Sequence, residues 1–343
     1  MHKAFSRVDE IMRDAVGTQF TGAVALIETG GRRVFERAYG STSLNGSGTG
    51  VYVDTRFDLA SLTKLFVATL GLMLAAEGTL DLDEPLGERI EEWHNLPHGA
   101  ITLRMLLAHT SGMNSGADYR GLLADNVERF AMMRDLVASP GERVIYSDLG
   151  FIALGAVIER ATGRALPDLM AARFGRSTLG FRPRLRERKA IPATEADAWR
   201  GRVQGSVHDE KAHLMNGVAG HAGLFGTAAD VAWLTNAYLD ASQGRANALL
   251  PVSLAREAIV EAAFDPVLRR GLGWALKTTD ENSCGRFFSA TSFGHTGFVG
   301  TCVWADPERD VLGVLLTNTV YFGRSDSRPL RAAFYEALIE ETT

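Results

Sequence analysis

Ser61 and Lys64, in Ser61-Leu62-Thr63-Lys64, form the one S-x-x-K of this 343-residue chain, and they open an apolar run over residues 65–76 that reads as a helix. Residues three apart on a helix are neighbours, so the Lys64 amine would sit over the Ser61 hydroxyl. A serine at a helix N-terminus also meets unpaired backbone N–H groups and the positive end of the helix dipole. An adjacent base and donors for a developing oxyanion turn a poor nucleophile into a usable one. The spacing by itself suits an ordinary helix-capping serine with a solvated lysine in the first turn equally well, and about one S-x-x-K is expected by chance in a chain this long.

Two further elements follow in order. Tyr146-Ser147-Asp148 lies mid-chain, after Ser139-Pro140-Gly141, and Gly294-His295-Thr296-Gly297-Phe298 lies near the C-terminus. S-x-x-K serine enzymes carry a second polar element that handles protons and a strand with [KH]-T-G on the far wall of the cleft. On these three elements, and on residues 101–112 (ITLRMLLAHTSG) and 220–230 (GHAGLFGTAAD), the chain resembles the serine β-lactamase and penicillin-binding-protein superfamily almost end to end. It is most similar to the branch of class C β-lactamases, D,D-carboxypeptidases, D-aminopeptidases and β-lactamase-like esterases.

The resemblance implies roles residue by residue. Ser61 would be the acylated nucleophile. Lys64, desolvated on an apolar helix, is expected to have its amine pKa pulled down and to act as a neutral base. Tyr146 would share a proton with Lys64 and activate the deacylating water. The oxyanion hole would combine the backbone N–H groups of Ser61 and Phe298, and His295, Thr296 and Gly297 would contact substrate, Gly297 because a side chain there would block it. No E-x-x-L-N segment is present, so a class A mechanism is not expected.

Two positions depart from the pattern. Asp148 stands where class C enzymes carry asparagine, and a carboxylate offers acceptors only. It could pair with Lys64, receive a substrate amine or hydroxyl, or face the helical lobe. His295 stands where many members carry lysine, which makes an anionic substrate group a weaker requirement. The implied function is hydrolysis of small esters or amides through an acyl-enzyme. A D,D-carboxypeptidase or class C-like β-lactamase is the second reading, and a β-lactam receptor that stays acylated is the third.

The elements that must position these residues follow from periodicity. Residues 4–16 read as a helix with Phe5, Val8, Ile11, Met12 and Ala15 on one face. Residues 21–28 and 33–39 read as strands joined by the turn Thr29-Gly30-Gly31-Arg32. From 61 to about 240 the pattern is mostly helical, interrupted by a loop-rich stretch over 181–208. Strands return at 287–292, 298–305 and 311–318, and a helix closes the chain over 329–340. The expected fold is α+β: an antiparallel sheet built from both chain ends and flanked by the terminal helices, plus a mostly helical lobe. In residue terms, 1–60 with 241–343 form the sheet lobe, and 61–240 the helical insert. The active cleft is expected between them.

Composition narrows the function classes. A net charge of −5 and pI near 5.9 disfavour nucleic-acid binding. No apolar run reaches the roughly 18 residues of a membrane span. The first ten residues have no apolar stretch of the kind that directs export, so the reducing cytosol is expected, with Cys284 and Cys302 as unpaired thiols. His208, Asp209, Glu210 and His213 invite a metal reading, but two histidines five apart do not share a helix face. Residues 199–210 are better read as a loop bordering the cleft. No cofactor or metal is expected, and the partner is a small molecule with an ester or amide carbonyl.

Overall fold

The protein is described by a computed structural model covering residues 5–44, 46, 48–115, 126–246 and 249–342. Ala4, the first residue of the expected N-terminal helix, lies outside them. Helix α1 (Ser6–Ala15) leads into strands β1 (Gly22–Thr29) and β2 (Arg32–Gly40), then β3 (Phe57–Asp58) and helix α2 (Thr63–Ala76). Helices α3 (Leu103–Leu107), α4 (Val127–Met133), α5 (Asp148–Thr162) and α6 (Leu166–Phe174) build the helical part. Short strands β4 (Gly180–Phe181), β5 (Ala196–Asp197) and β6 (Gly201–Arg202), helix α7 (Glu210–Leu214) and strand β7 (Leu224–Gly226) follow. The chain returns through α8 (Ala228–Ser242), α9 (Val252–Ala258), β8 (Ala275–Leu276), β9 (Phe293–Thr296), β10 (Cys302–Asp306), β11 (Val311–Thr317) and α10 (Arg328–Thr342).

Among the described residues six strands form one antiparallel sheet in the order β2-β1-β11-β10-β9-β8. The two chain ends meet along β1 and β11, from Ala23 opposite Thr317 to Thr29 opposite Val311. Alternation along each strand divides its side chains between two cores. Val24 and Leu26 of β1, with Leu312, Val314 and Leu316 of β11, join the core shared with α2, α5 and α8. Ala23, Ala25 and Ile27 face the other way, onto Val8 and Met12 of α1 and Phe334 and Leu338 of α10. A sheet covered on both faces explains why β1 is buried over nearly its whole length. Helix α2 is apolar all round and is accordingly buried from Thr63 to Leu74.

Two expected strands differ. Residues 287–292 form no strand, because their polar backbone groups are taken by side chains. Lys277 Nζ donates to the carbonyls of Arg286 (2.8 Å) and Phe288 (2.7 Å), and Asp306 accepts from the Ser289 N–H at 2.9 Å. The strand begins instead at Phe293. The 298–305 strand starts only at Cys302, since Gly297 N–H donates to Thr301 O at 2.7 Å and closes a tight turn through Gly300 at φ 120°. Cys284 and Cys302 are both free and buried, and burial pushes their thiols up to about 12 and about 11.

Candidate active site

Ser61 sits in a single 3₁₀ turn, Ala60–Leu62, that runs directly into α2. Ala60 ahead of it takes the left-handed region at φ 47°. That conformation costs a non-glycine residue free energy and persists only where neighbours enforce it. The neighbour is Asp58, whose carboxylate accepts the Ala60 N–H at 2.8 Å and the His208 N–H at 2.7 Å. Burial raises the Asp58 pKa, and those two N–H groups oppose the rise. Ser61 is not the N-cap of either helix, those positions falling on Leu59 and Leu62, and its hydroxyl meets other partners.

Those partners are Lys64 and Tyr146. Lys64 Nζ donates to Ser61 Oγ at 3.0 Å, and the Tyr146 hydroxyl donates to the same oxygen at 3.0 Å. Lys64 is fully buried and also donates to Asp148 Oδ1 at 2.9 Å and to the His221 carbonyl at 3.1 Å. Three acceptors match the three protons of an ammonium group. Burial pulls the Lys64 pKa down, but Asp148 and Tyr146 outweigh it and the net direction is up. The neutral amine expected from an apolar helix face is therefore corrected: Lys64 is a charged, saturated donor.

Asp148 lies in the first turn of α5, which Ser147 caps by accepting the Gly150 N–H at 2.8 Å. Its second oxygen is 3.0 Å from Lys211 Nζ. Burial would raise the Asp148 pKa, yet Lys64, His221 and Lys211 hold it below the usual carboxylate range. Of the three placements open to Asp148, the structure takes the pairing with Lys64. Asp209, His221 and Asp148 converge around the same point, where Lys211 also approaches Asp209 at 3.4 Å and His221 Nε2 meets Asp209 at 2.8 Å. The acidic cluster thus encloses an ammonium group. His208 and His213 turn to different neighbours, stacking on Phe298 and packing edge-on against Trp199.

Tyr146 is held by its surroundings. His109, itself at φ 59°, accepts the Ser147 N–H on Nδ1 at 3.0 Å and packs against the Tyr146 ring, tilted by 34° with 4.7 Å between centroids. Lys64 Nζ lies 5.0 Å from the ring centre and the Arg270 guanidinium carbon 5.2 Å.

The turn after β9 supplies the opposite wall. The backbone N–H groups of Ser61 and Phe298 donate to no protein acceptor among the described residues, as an oxyanion hole requires. Arg331 Nη2 donates to the Gly297 carbonyl at 2.7 Å, on the peptide whose N–H belongs to Phe298. Thr301 Oγ1 donates to the Leu59 carbonyl at 3.2 Å and ties this turn to the Ser61 segment. A Cβ on Gly297 would lie 2.1 Å from Thr301 Oγ1 and 2.9 Å from the Leu59 carbonyl. The protein's own packing therefore already requires glycine there.

A cavity of about 480 Å³ lies over Ser61, lined by Tyr146, Asp148, Lys211, Thr296, Gly297, Phe298 and Arg324 among others. Of the 199–210 stretch expected to border the cleft, His208, Asp209 and Glu210 line the cavity, while residues 199–207 do not; Lys211, in α7, lines it as well. His295 does not line this cavity. It is buried and faces a second one of about 450 Å³, shared with Tyr146, Thr296, Arg270 and Arg331. Its Nδ1 meets the Thr296 carbonyl at 2.9 Å, and burial, with Arg270 and Lys64 nearby, holds its pKa well below the ordinary histidine value. Sequence reasoning missed Lys211, Arg270 and Arg331. The one available signal was Asp148 itself, since a buried carboxylate in place of an amide calls for more than one cation.

The Beta-lactamase family model matches residues 8–337, so the chain belongs to the Beta-lactamase family, a family of serine hydrolases. It is 30% identical to Esterase EstB of Burkholderia gladioli over 97% of this chain and 94% of that protein. It is 29% identical to an N-acetylmuramyl-L-alanine amidase of Bacillus subtilis over 92% of this chain and 81% of that one. Among solved structures, EstCE1, a hydrolase with promiscuous acyltransferase activity, superposes with a TM-score of 0.78 over 97% of this chain and 99% of that chain, at 22% identity.

Proposed function

We propose that this protein hydrolyses small esters or amides through an acyl-enzyme on Ser61. The observation that carries the reading is the convergence of the Lys64 ammonium and the Tyr146 hydroxyl on Ser61 Oγ, both at 3.0 Å, beneath an open cavity. Because Lys64 is a charged donor to three acceptors, the group that takes the Ser61 proton is Tyr146, acting as the phenolate once its own hydroxyl proton has left; the proton it takes makes it the neutral phenol again. Lys64 holds the nucleophile in place and stabilises the charge that develops beside it. The Ser61 O–H bond breaks as its oxygen bonds the substrate carbonyl carbon, and the carbonyl π pair becomes the oxyanion facing the Ser61 and Phe298 N–H groups. Tyr146 then passes its proton to the leaving group and activates the deacylating water.

The esterase relative, aligned over nearly its full length, favours esters. The amidase relative keeps amides of cell-wall peptides as the second reading. The test is a panel of p-nitrophenyl esters, nitrocefin and D-Ala-D-Ala peptides, with mass spectrometry of the Ser61 peptide. Ester turnover with a transient acyl adduct on Ser61 is expected, and Ser61→Ala should lose several orders of magnitude in rate while staying folded. Wild-type turnover by a folded Ser61→Ala protein would overturn the reading.

A further inference from the structure

Arg270 carries a charge that no carboxylate among the described residues balances. It is 6% exposed, pairs with no carboxylate among the described residues, and keeps its Nε buried without a partner. An uncompensated buried ion costs several kcal/mol, so its retention calls for a use. The fold holds it firmly. Arg270 N–H donates to Ala263 O at 3.0 Å, and the following turn is closed by Gly271 N–H on Trp274 O at 2.9 Å. Gly273 N–H reaches Leu107 O at 2.9 Å, and a Cβ on Gly273 would lie 2.5 Å from Ala68 Cβ, so the turn rests directly on α2.

This placement brings the guanidinium carbon 5.2 Å from the Tyr146 ring centre, in the second cavity. The tyrosine therefore has two cations against it, Lys64 and Arg270. His295, which stands at the motif position occupied by lysine in many relatives, is neutral there: burial comes first, then Arg270 and Lys64.

We propose that Arg270 is a positioning residue for the reaction, stabilising negative charge on the Tyr146 oxygen so that Tyr146 can accept the Ser61 proton. The proposal rests on the reading of Tyr146 as the base. In the step concerned Tyr146 is the phenolate: the proton leaves Ser61 Oγ for the Tyr146 oxygen, which becomes a neutral hydroxyl, the Ser61 pair bonds the carbonyl carbon, and the π pair moves to the oxyanion. Arg270 exchanges no proton. The other groups facing Tyr146 are Lys64 from α2, Asp148 from α5, His109 from the turn after α3 and His295 from β9. Lys211 from α7, Arg331 from α10 and Glu281 line the two cavities beside it. All remain when Arg270 is replaced.

The experiment measures kcat/KM for a neutral p-nitrophenyl ester from about pH 5 to about pH 10 in the full chain. The variants are Arg270→Met, Arg270→Lys, Tyr146→Phe and the Tyr146→Phe/Arg270→Met double. Arg270→Met should move the acid limb upward by roughly one to two pH units, as expected for a cation lost at this distance in a partly shielded site. Its rate should recover at high pH, its KM should hold, and Arg270→Lys should lie between. The Tm of Arg270→Met should equal or exceed the parent's, since an unpaired buried charge has been removed. In the Tyr146→Phe background Arg270→Met should do nothing further. A uniform loss at every pH with a lowered Tm would make Arg270 structural and overturn the proposal. An effect confined to KM for esters with a free carboxylate would overturn it too, assigning Arg270 to a substrate anion. If Tyr146→Phe keeps the parent's acid limb, the base assignment itself fails. If that limb is lost in Tyr146→Phe but unmoved in Arg270→Met, only the role of Arg270 fails.

Discussion

Lys64 and Asp148 form a 2.9 Å ion pair in which the lysine side chain is wholly shielded from solvent. In the proposed mechanism the pair sets the chemistry of the cleft, because it makes Lys64 a donor to Ser61 and leaves proton acceptance to Tyr146. Lys211 on the second Asp148 oxygen completes a line of charges in which one carboxylate serves two ammonium groups.

Asp148→Asn should destabilise the protein by about 3–5 kcal/mol, because Lys64 and Lys211 would be left facing a neutral amide. Urea denaturation measures this, and Asp148→Asn/Lys211→Met should recover part of the loss. The pH window follows from the two directions. Asp148 is depressed in the folded state, so its contribution is present above the unfolded value of about 4 and fades as pH falls further. Lys64 is raised, so its contribution holds below the unfolded value of about 10.4 and is lost as pH rises through the folded one. The stability gap between parent and Asp148→Asn should be flat between those limits and shrink outside them.

Tyr146→Phe should slow both acylation and turnover by roughly 10²–10⁴, the usual worth of a general base. With Lys64 saturated as an ammonium, no second acceptor waits for the Ser61 proton. Mass spectrometry should therefore find no build-up of acylated Ser61 peptide. Normal acylation followed by a trapped adduct would return the role of first base to Lys64.

Gly297→Ala should lower both stability and rate. Overpacking of this kind costs about 1–3 kcal/mol, and here the collision falls on the turn that presents the Phe298 N–H. A second change, Thr301→Ala, removes the nearest obstacle but leaves the Leu59 carbonyl, so thermal melts should show partial recovery only.

Stability should fall as pH drops below about 6.5, the unfolded histidine value. Burial holds His109 and His295 well below that value in the folded state, so the unfolded chain takes up protons that the native one refuses. Each contributes a slope of about 1.4 kcal/mol per pH unit while it is the only form to differ. His295→Gln should reduce the slope of stability against pH between about 6 and about 5, where a histidine protonated in the native state would leave it unchanged.

Much of the architecture is legible locally. The all-apolar run after Lys64 dictates a buried helix, and Ser61 and Lys64 three apart on it must be neighbours. The near-continuous apolar runs of β1 and β11 can be satisfied only by a sheet with apolar cover on both faces. The hairpin between β1 and β2 follows from Gly30-Gly31, both at positive φ. The 287–292 strand was misread for a reason that no local pattern contains. Lys277 and Asp306, brought in by neighbouring segments, take the backbone groups that a ladder would need.

What the chain order determined by itself was which residues could do chemistry: Ser61, Lys64, Tyr146 and the His295-Thr296-Gly297 turn. Their charge states were decided only by the tertiary structure. A buried amine on an apolar helix is neutral if judged by its own element, and charged once α5 brings Asp148 to 2.9 Å. Arg270 and Lys211 acquire meaning in the same way, from segments distant in sequence that pack against Tyr146 and Asp148. Electrostatic energy falls off with distance through space and rises as water is excluded, and neither quantity is written in sequence spacing.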